Sequence, residues 1–220
     1  IGAVIYGDDT LISFSLTIAA LAVTGLLCLR KKATKSVIYA KEGYVIVALS
    51  WILMSLFGAL PFFISGYIPS FIDAFFETVS GFTTTGASIL SDVEALSKSM
   101  LFWRSFTHWI GGMGVLVFVM AVLPLSGGGG DLHLMRAESP GPSVGKLVPK
   151  MKNSSLILYT MYIVLSVLNL IFLLAGKMPL FDAVCTMFGT AGTGGFGIKA
   201  DSLASYSPYL QTVTAVFMLL

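Results

Sequence analysis

The sequence predicts an all-α membrane protein in which a unit of helix, re-entrant loop and helix is repeated around a central axis. Three observations carry that expectation: the composition, the spacing of the apolar runs, and a polar interruption that occurs twice. Of the 220 residues, 56% are hydrophobic and only 11% charged, and the mean hydropathy is +0.90. A soluble domain carries about twice that share of charge. Apolar runs of ~20 residues, enough to cross a hydrocarbon core of about 30 Å, occur several times.

Leu11–Leu29 is the first of these runs and ends in Arg30-Lys31-Lys32, with Lys35 and Lys41 following. Tyr44–Ile64 is the second span, expected to break late at Gly58 and Pro61. Phe71–Ser88 is too polar and too short to cross. It opens with Phe71, Ala74, Phe75 and Thr78 at helical spacing, then turns into Thr83-Thr84-Thr85-Gly86-Ala87, a poor helix. Non-helical backbone at membrane depth survives only where protein buries it or it lines a wet cavity, so a re-entrant loop is expected. Met100–Leu123 is the third span, stopped by Pro124. Gly127–Lys152 is a polar connection carrying Arg136, Lys146, Lys150 and Lys152, and Leu156–Ala175 is the fourth span. A second interruption covers Lys177–Ser207, and Pro208–Leu220 begins a fifth span. The organisation read from this is a leading helix and basic cytoplasmic linker over 1–42 and a first unit over 43–125. A cytoplasmic connection follows over 126–152, then a second, truncated unit over 153–220. The chain opens on Ile1 without a methionine and stops inside an apolar run, so it reads as a fragment of a longer protein.

The charges give the orientation. The two connections at Arg30–Lys41 and Arg136–Lys152 hold nine of the thirteen lysines and arginines, which places them in the cytoplasm by the positive-inside rule. Asp8, Asp9, Asp73, Glu77, Asp92, Glu94, Asp182 and Asp201, eight of the eleven acids, fall on the other side. Both interruptions are therefore expected on the periplasmic or extracellular face, where an acidic vestibule concentrates cations.

Aligning Asp73-Ala74 with Asp182-Ala183 sets an offset of 109, which carries Thr84 onto Thr193 and Gly86 onto Gly195 without a gap. Both copies face one side, so the repeat is parallel. Inverted repeats, used by many secondary transporters, would put the interruptions on opposite faces. Parallel loops can surround one axis, which is how a pore is made.

The loop chemistry suits a cation. An ion entering a narrow pore must exchange water for other oxygens, and potassium channels supply backbone carbonyls. Gly86 and Gly195 permit the positive φ that aims successive carbonyls along one line. Threonine tolerates extended backbone and adds a hydroxyl oxygen. The partly negative C-terminal end of each short helix favours a cation, and Asp73 and Asp182 are placed as N-caps or dipole partners at its start.

At these residues the chain resembles the Trk/Ktr superfamily of potassium uptake proteins, nearest to the bacterial Trk-type membrane (pore) subunit. The resemblance rests on the first loop, FFETVSGFTTTGAS, and on Phe106-Thr107-His108-Trp109-Ile110-Gly111-Gly112-Met113-Gly114. It extends to Arg136-Ala137-Glu138-Ser139-Pro140-Gly141-Pro142 and to Phe181-Asp182-Ala183 with Gly194-Gly195-Phe196. It implies potassium-channel-like repeats, four to a chain around a central pore, with one key glycine per loop. Carried over by position, the selectivity filter would comprise Thr84, Thr85 and Gly86 in the first loop and Thr193, Gly194 and Gly195 in the second. Neither loop contains the TVGYG of potassium channels, so the resemblance implies a less strict preference for potassium over sodium. Potassium is then the transported ion, with no bound cofactor. The implied partners are membrane lipids, a second copy in a homodimer and a cytoplasmic nucleotide-binding regulatory ring, with no nucleic acid. The third and fourth units, and the gating loop placed in the third, lie outside this sequence.

Other features read more simply. Cys28 and Cys185 lie in apolar surroundings without metal or redox spacing and read as structural thiols. Gly111-Gly112-Met113-Gly114 sits inside a span and reads as close helix packing, not a nucleotide fingerprint. Gly127–Gly130 lacks a phosphate-loop ending and reads as a linker. Arg104 and His108, four apart, are expected to anchor the interface with Trp103 and Trp109, and His133 has no metal-ligand partner nearby. The phenylalanines read as lipid-facing or packing residues. An enzyme would need a nucleophile–base or metal constellation, and neither His-Glu-x-x-His nor Gly-x-Ser-x-Gly occurs. A cation-coupled secondary transporter would place ionisable groups at mid-membrane, where the spans have almost none. An ammonium or weakly selective monovalent cation channel is the remaining alternative within the pore class.

Overall fold

The computed structural model describes residues 7–30, 40–114 and 151–219, and among them every regular element is helical. In order these are α1 (Leu11–Leu29), α2 (Ala40–Ile64), α3 (Phe71–Phe82), α4 (Lys98–Met113), α5 (Met151–Ala175), α6 (Leu180–Ala191) and α7 (Pro208–Leu219). The basic residues Lys31–Lys35, the end of the third apolar run from Val115 to Leu123, and most of the connection up to Lys150 lie outside the described residues. So do Gly127–Gly130, His133 and Arg136–Pro142.

Leu11–Leu29, Tyr44–Ile64 and Leu156–Ala175 are long and apolar enough to cross a membrane, with the bounds expected from sequence. Two expectations are corrected. The second span does not break: α2 runs through Pro61 to Ile64. Proline removes one backbone donor inside a helix, here the one owed to the Phe57 carbonyl, and the helix continues regardless; the neighbouring Gly58 carbonyl also accepts the Trp103 indole N–H at 3.0 Å. Gly58 serves packing instead, since a Cβ there would stand 2.7 Å from Thr78 and 2.8 Å from Phe82. The third span is not one continuous helix from Met100. Helix α4 starts at Lys98, capped by Ser97, and closes at Met113, where Gly114 takes φ 74°.

The repeat is built into the helices. The bounds of α6 are those of α3 shifted by 109. The closing turns match as well: Thr83 N–H donates to the Val79 carbonyl at 2.8 Å and Gly192 N–H to that of Phe188 at 3.1 Å. Beyond the loops the register moves by one. Ser97 accepts from the Met100 N–H at 3.4 Å and Ser207 from the Leu210 N–H at 3.5 Å, so α4 and α7 correspond at 110.

Helix α3 packs on α2 and α4, α6 on α4 and α5, and α7 on α5 and α6, so α4 is the wall shared by the two short helices. One apolar cluster joins Ala59, Phe62, Ala74 and Met100 to Cys185 of the second unit. The other gathers Leu173, Ala183, Met187 and Phe188 under Phe102, Phe106 and Trp109. Apolar burial does little to drive helices together inside lipid, so close packing and hydrogen bonds matter more. Trp109 donates its indole N–H to Ser166 Oγ at 3.1 Å, and the Tyr162 hydroxyl donates to the Trp109 carbonyl at 2.9 Å. Helix α1 rests on α2 and leaves Ile12, Ile18, Val23 and Leu26 exposed, a surface suited to lipid. Cys185 is buried as a structural thiol would be, whereas Cys28 is exposed on α1.

Candidate functional site

The loops that follow α3 and α6 share one backbone pattern. Thr83 has φ −80° and Thr84 φ 54°, and Gly86 follows at φ 74°. Gly192 has φ −76° and Thr193 φ 56°, and Gly195 follows at φ 75°. The residues between, Thr85 and Gly194, are not in the positive region. Alternating signs of φ are what a run of carbonyls aimed to one side requires, whereas a strand alternates its faces. The glycines meet this need as expected. Thr84 and Thr193 are not extended: they are β-branched residues at positive φ, a rare and strained state of the kind found at functional sites.

The surrounding hydrogen bonds hold that shape. Thr83 donates its hydroxyl to the Val79 carbonyl at 2.8 Å and shares a hydrogen bond of 2.8 Å with the Thr85 hydroxyl. The Thr85 N–H reaches back to the Ser80 carbonyl at 3.0 Å, as Gly195 N–H does to Gly189 at 3.1 Å. Both loops thus hang from the partly negative C-terminal end of a short helix. They also lie flank to flank. A Cβ on Gly86 would overlap the Gly194 carbonyl oxygen, and one on Gly194 would stand 2.9 Å from the Thr84 carbonyl oxygen and overlap the His108 ring. Thr84, Thr85 and Gly86 are in this way brought together with Thr193, Gly194 and Gly195. The side chains of Thr85 and Thr193 are exposed.

A buried ion pair stands behind the loops. Glu77 of α3 and Arg104 of α4 have side chains 0% and 3% exposed, and Arg104 Nε donates to Glu77 Oε1 at 2.6 Å. The same carboxylate accepts from Ser88 Oγ at 2.9 Å and from the Ile89 N–H at 2.9 Å, just past the first loop. Arg104 Nη1 donates to the Gly197 carbonyl at 2.8 Å, just past the second, and its guanidinium lies 3.5 Å over the Phe196 ring. His108 is fully buried, its ring centroid 3.9 Å from that of Phe196.

These contacts correct the sequence reading in three places. Arg104 and His108 do not anchor the membrane interface; they back the loops. Glu77 leaves the acidic vestibule for the interior. Ser70, not Asp73, caps α3, while Pro179 precedes α6 without a side-chain cap. Asp73 and Asp182 keep the dipole-partner position in the first turn, and Asp182 accepts the Tyr206 hydroxyl at 2.7 Å. Outside the spans, burial and this neighbouring carboxylate push the Tyr206 phenol up. The missed signal was a carboxylate in the re-entrant segment and a guanidinium in the apolar run that follows it, opposite charges which in a membrane must find each other or a polar partner.

The family model described as TrkH, cation transport protein, matches residues 12–220. This chain belongs to the TrkH family. Among relatives, the Trk system potassium uptake protein TrkH of Salmonella typhimurium is 38% identical over 99% of this chain and 46% of its own length. The Trk system potassium uptake protein TrkG of Escherichia coli K12 is 36% identical over 97% and 44%. The crystal structure of the potassium transporter TrkH from Vibrio parahaemolyticus superposes with a TM-score of 0.79 at 30% identity, covering 98% of this chain and 43% of that one. The chain therefore spans somewhat less than half the length of the TrkH-family relatives it matches. Both loops, Glu77 and Arg104 fall inside the TrkH match.

Proposed function

We propose that this chain supplies two of the loops that line a potassium-selective pore, in a membrane protein that takes up potassium. The observation that carries the reading is the pair of loops with the same alternation of φ, 109 residues apart, lying flank to flank at the negative ends of two short helices. In this reading the carbonyls and threonine hydroxyls of Thr84, Thr85, Gly86, Thr193, Gly194 and Gly195 replace the water of a dehydrated potassium ion. Relatives named as potassium uptake proteins support that choice of ion. The units are taken as 43–125 and 153–220, joined by a cytoplasmic connection over 126–152, with the loops opening to the periplasmic or extracellular side of the cell (inner) membrane. The activity is transport and not catalysis. The whole protein would work as a homodimer seated on a cytoplasmic nucleotide-binding ring, which the basic connections are placed to meet.

The test uses the full-length protein in proteoliposomes, with reversal potentials measured between potassium and sodium or ammonium. A clear preference for potassium over sodium is expected. Equal permeability to sodium would overturn the reading, and a preference for ammonium would reassign the ion.

A further inference from the structure

The two loops are not supported alike. Helices α3 and α6 correspond at an offset of 109, which pairs Glu77 with Thr186; α4 and α7 correspond at 110, which pairs Arg104 with Thr214. Where the first unit has a carboxylate and a guanidinium in contact, the second has two threonines facing a cavity. That cavity measures about 190 Å³ and is lined by Thr186, Thr214, Gly195, Gly197, Ser202 and Tyr206. It lies behind the second loop, in the place that the ion pair fills behind the first. Arg104 reaches across from the first unit to the exit of the second loop, meeting the Gly197 carbonyl at 2.8 Å.

We propose that Glu77 and Arg104 are positioning residues for both loops, so that one ion pair in the first unit sets the ion selectivity contributed by two units. The proposal rests on the pore reading above. Neither residue needs to touch the ion. Glu77 fixes the exit of the first loop through Ser88 and Ile89, and the fork of Arg104 divides its donors between Glu77 and Gly197. A guanidinium can hold both directions at once because its donors are planar and fixed, whereas a lysine ammonium is a point charge on a flexible stem. Arg104→Lys therefore keeps the charge opposite Glu77 while losing the reach to Gly197 and the stacking on Phe196.

The experiment compares sodium-to-potassium permeability ratios of the full-length protein in proteoliposomes, alongside detergent-extracted yield and melting temperature. Arg104→Lys should assemble and raise the ratio roughly three- to tenfold, the size of one lost hydrogen bond. Ser88→Ala leaves the ion pair intact and removes one arm to the first loop; it should raise the ratio by a smaller factor. An assembled Arg104→Lys protein with the wild-type ratio overturns the proposal. If Arg104→Lys does not assemble, Ser88→Ala decides, and an unchanged ratio there overturns it equally. Gly86→Ser serves as the control that separates the two readings. If it shifts the ratio while the other variants do not, the pore reading stands and the positioning role fails; a wild-type protein without potassium preference sinks the pore reading itself.

Discussion

Gly86 and Gly195 hold equivalent places in unequal surroundings. Both have φ near 75°, so any side chain there adds strain of about 1–2 kcal/mol. At Gly195 the nearest atom to a new Cβ is the Met218 methyl at 3.5 Å, an ordinary contact, while at Gly86 it is the carbonyl oxygen of Gly194 in the other loop. Gly86→Ser therefore displaces the second loop too and adds an overpacking cost of about 1–3 kcal/mol. Gly86→Ser should shift the sodium-to-potassium ratio well beyond Gly195→Ser in reversal-potential measurements. Equal shifts would mean that the loops do not abut as described. The sequence displayed both glycines through the repeat. It did not display the contact between Gly86 and Gly194, because a one-dimensional offset says nothing about which flanks meet. Arg104 was legible as a charge and misread as an anchor, because Trp103 and Trp109 beside it suggested an interface when their indoles in fact bond Gly58 and Ser166 inside the bundle.

Among the elements, α4 is the most constrained. A Cβ on Gly111 would overlap the Phe82 carbonyl, and one on Gly112 would come within 2.8 Å of the Gly192 Cα and 2.6 Å of the Tyr162 hydroxyl. Backbone cannot move aside as a side chain can, so Gly111→Ala should cost about 1–3 kcal/mol, read as a lower melting temperature in detergent. Gly25→Ala on α1, where nothing lies within 4 Å, should be neutral or raise stability by up to about 1 kcal/mol. A drop of equal size in both variants would refute the close approach. The packing role of Gly111 and Gly112 could be read from their place in an apolar run. The start of α3 at Phe71 and its end before the threonines were legible from helical spacing, and the repeat carried a matching short helix to the second loop without giving its bounds. The continuity of α2 was not legible, because Pro61 ordinarily signals a stop.

For the whole molecule, the distribution of charge and the parallel repeat make one prediction about sidedness. In a Cys28→Ser background, Ala204→Cys, exposed in the segment after the second loop, should react with a membrane-impermeant thiol reagent added outside intact cells. Lys35→Cys should react only after the membrane is permeabilised. The reverse pattern would invert the orientation. The change of register from 109 to 110 lies in the segments after the two loops, so the repeat has tolerated an added residue there while keeping the loops in strict correspondence. These segments are also tied across units, with the Ala200 N–H donating to Glu94 at 3.1 Å.

The positive φ of Thr84 and Thr193 carries a consequence for how this family can vary. Glycine would sit at either position without strain, so a mutational selection that scores folding alone should enrich Thr84→Gly and Thr193→Gly. If the two threonines line the pore as proposed, a selection on growth at limiting potassium should remove both, because the hydroxyl-bearing side chain is then worth more than the relief of strain. Opposite rankings of one substitution under two selections would mark these threonines as places where stability has been given up for function.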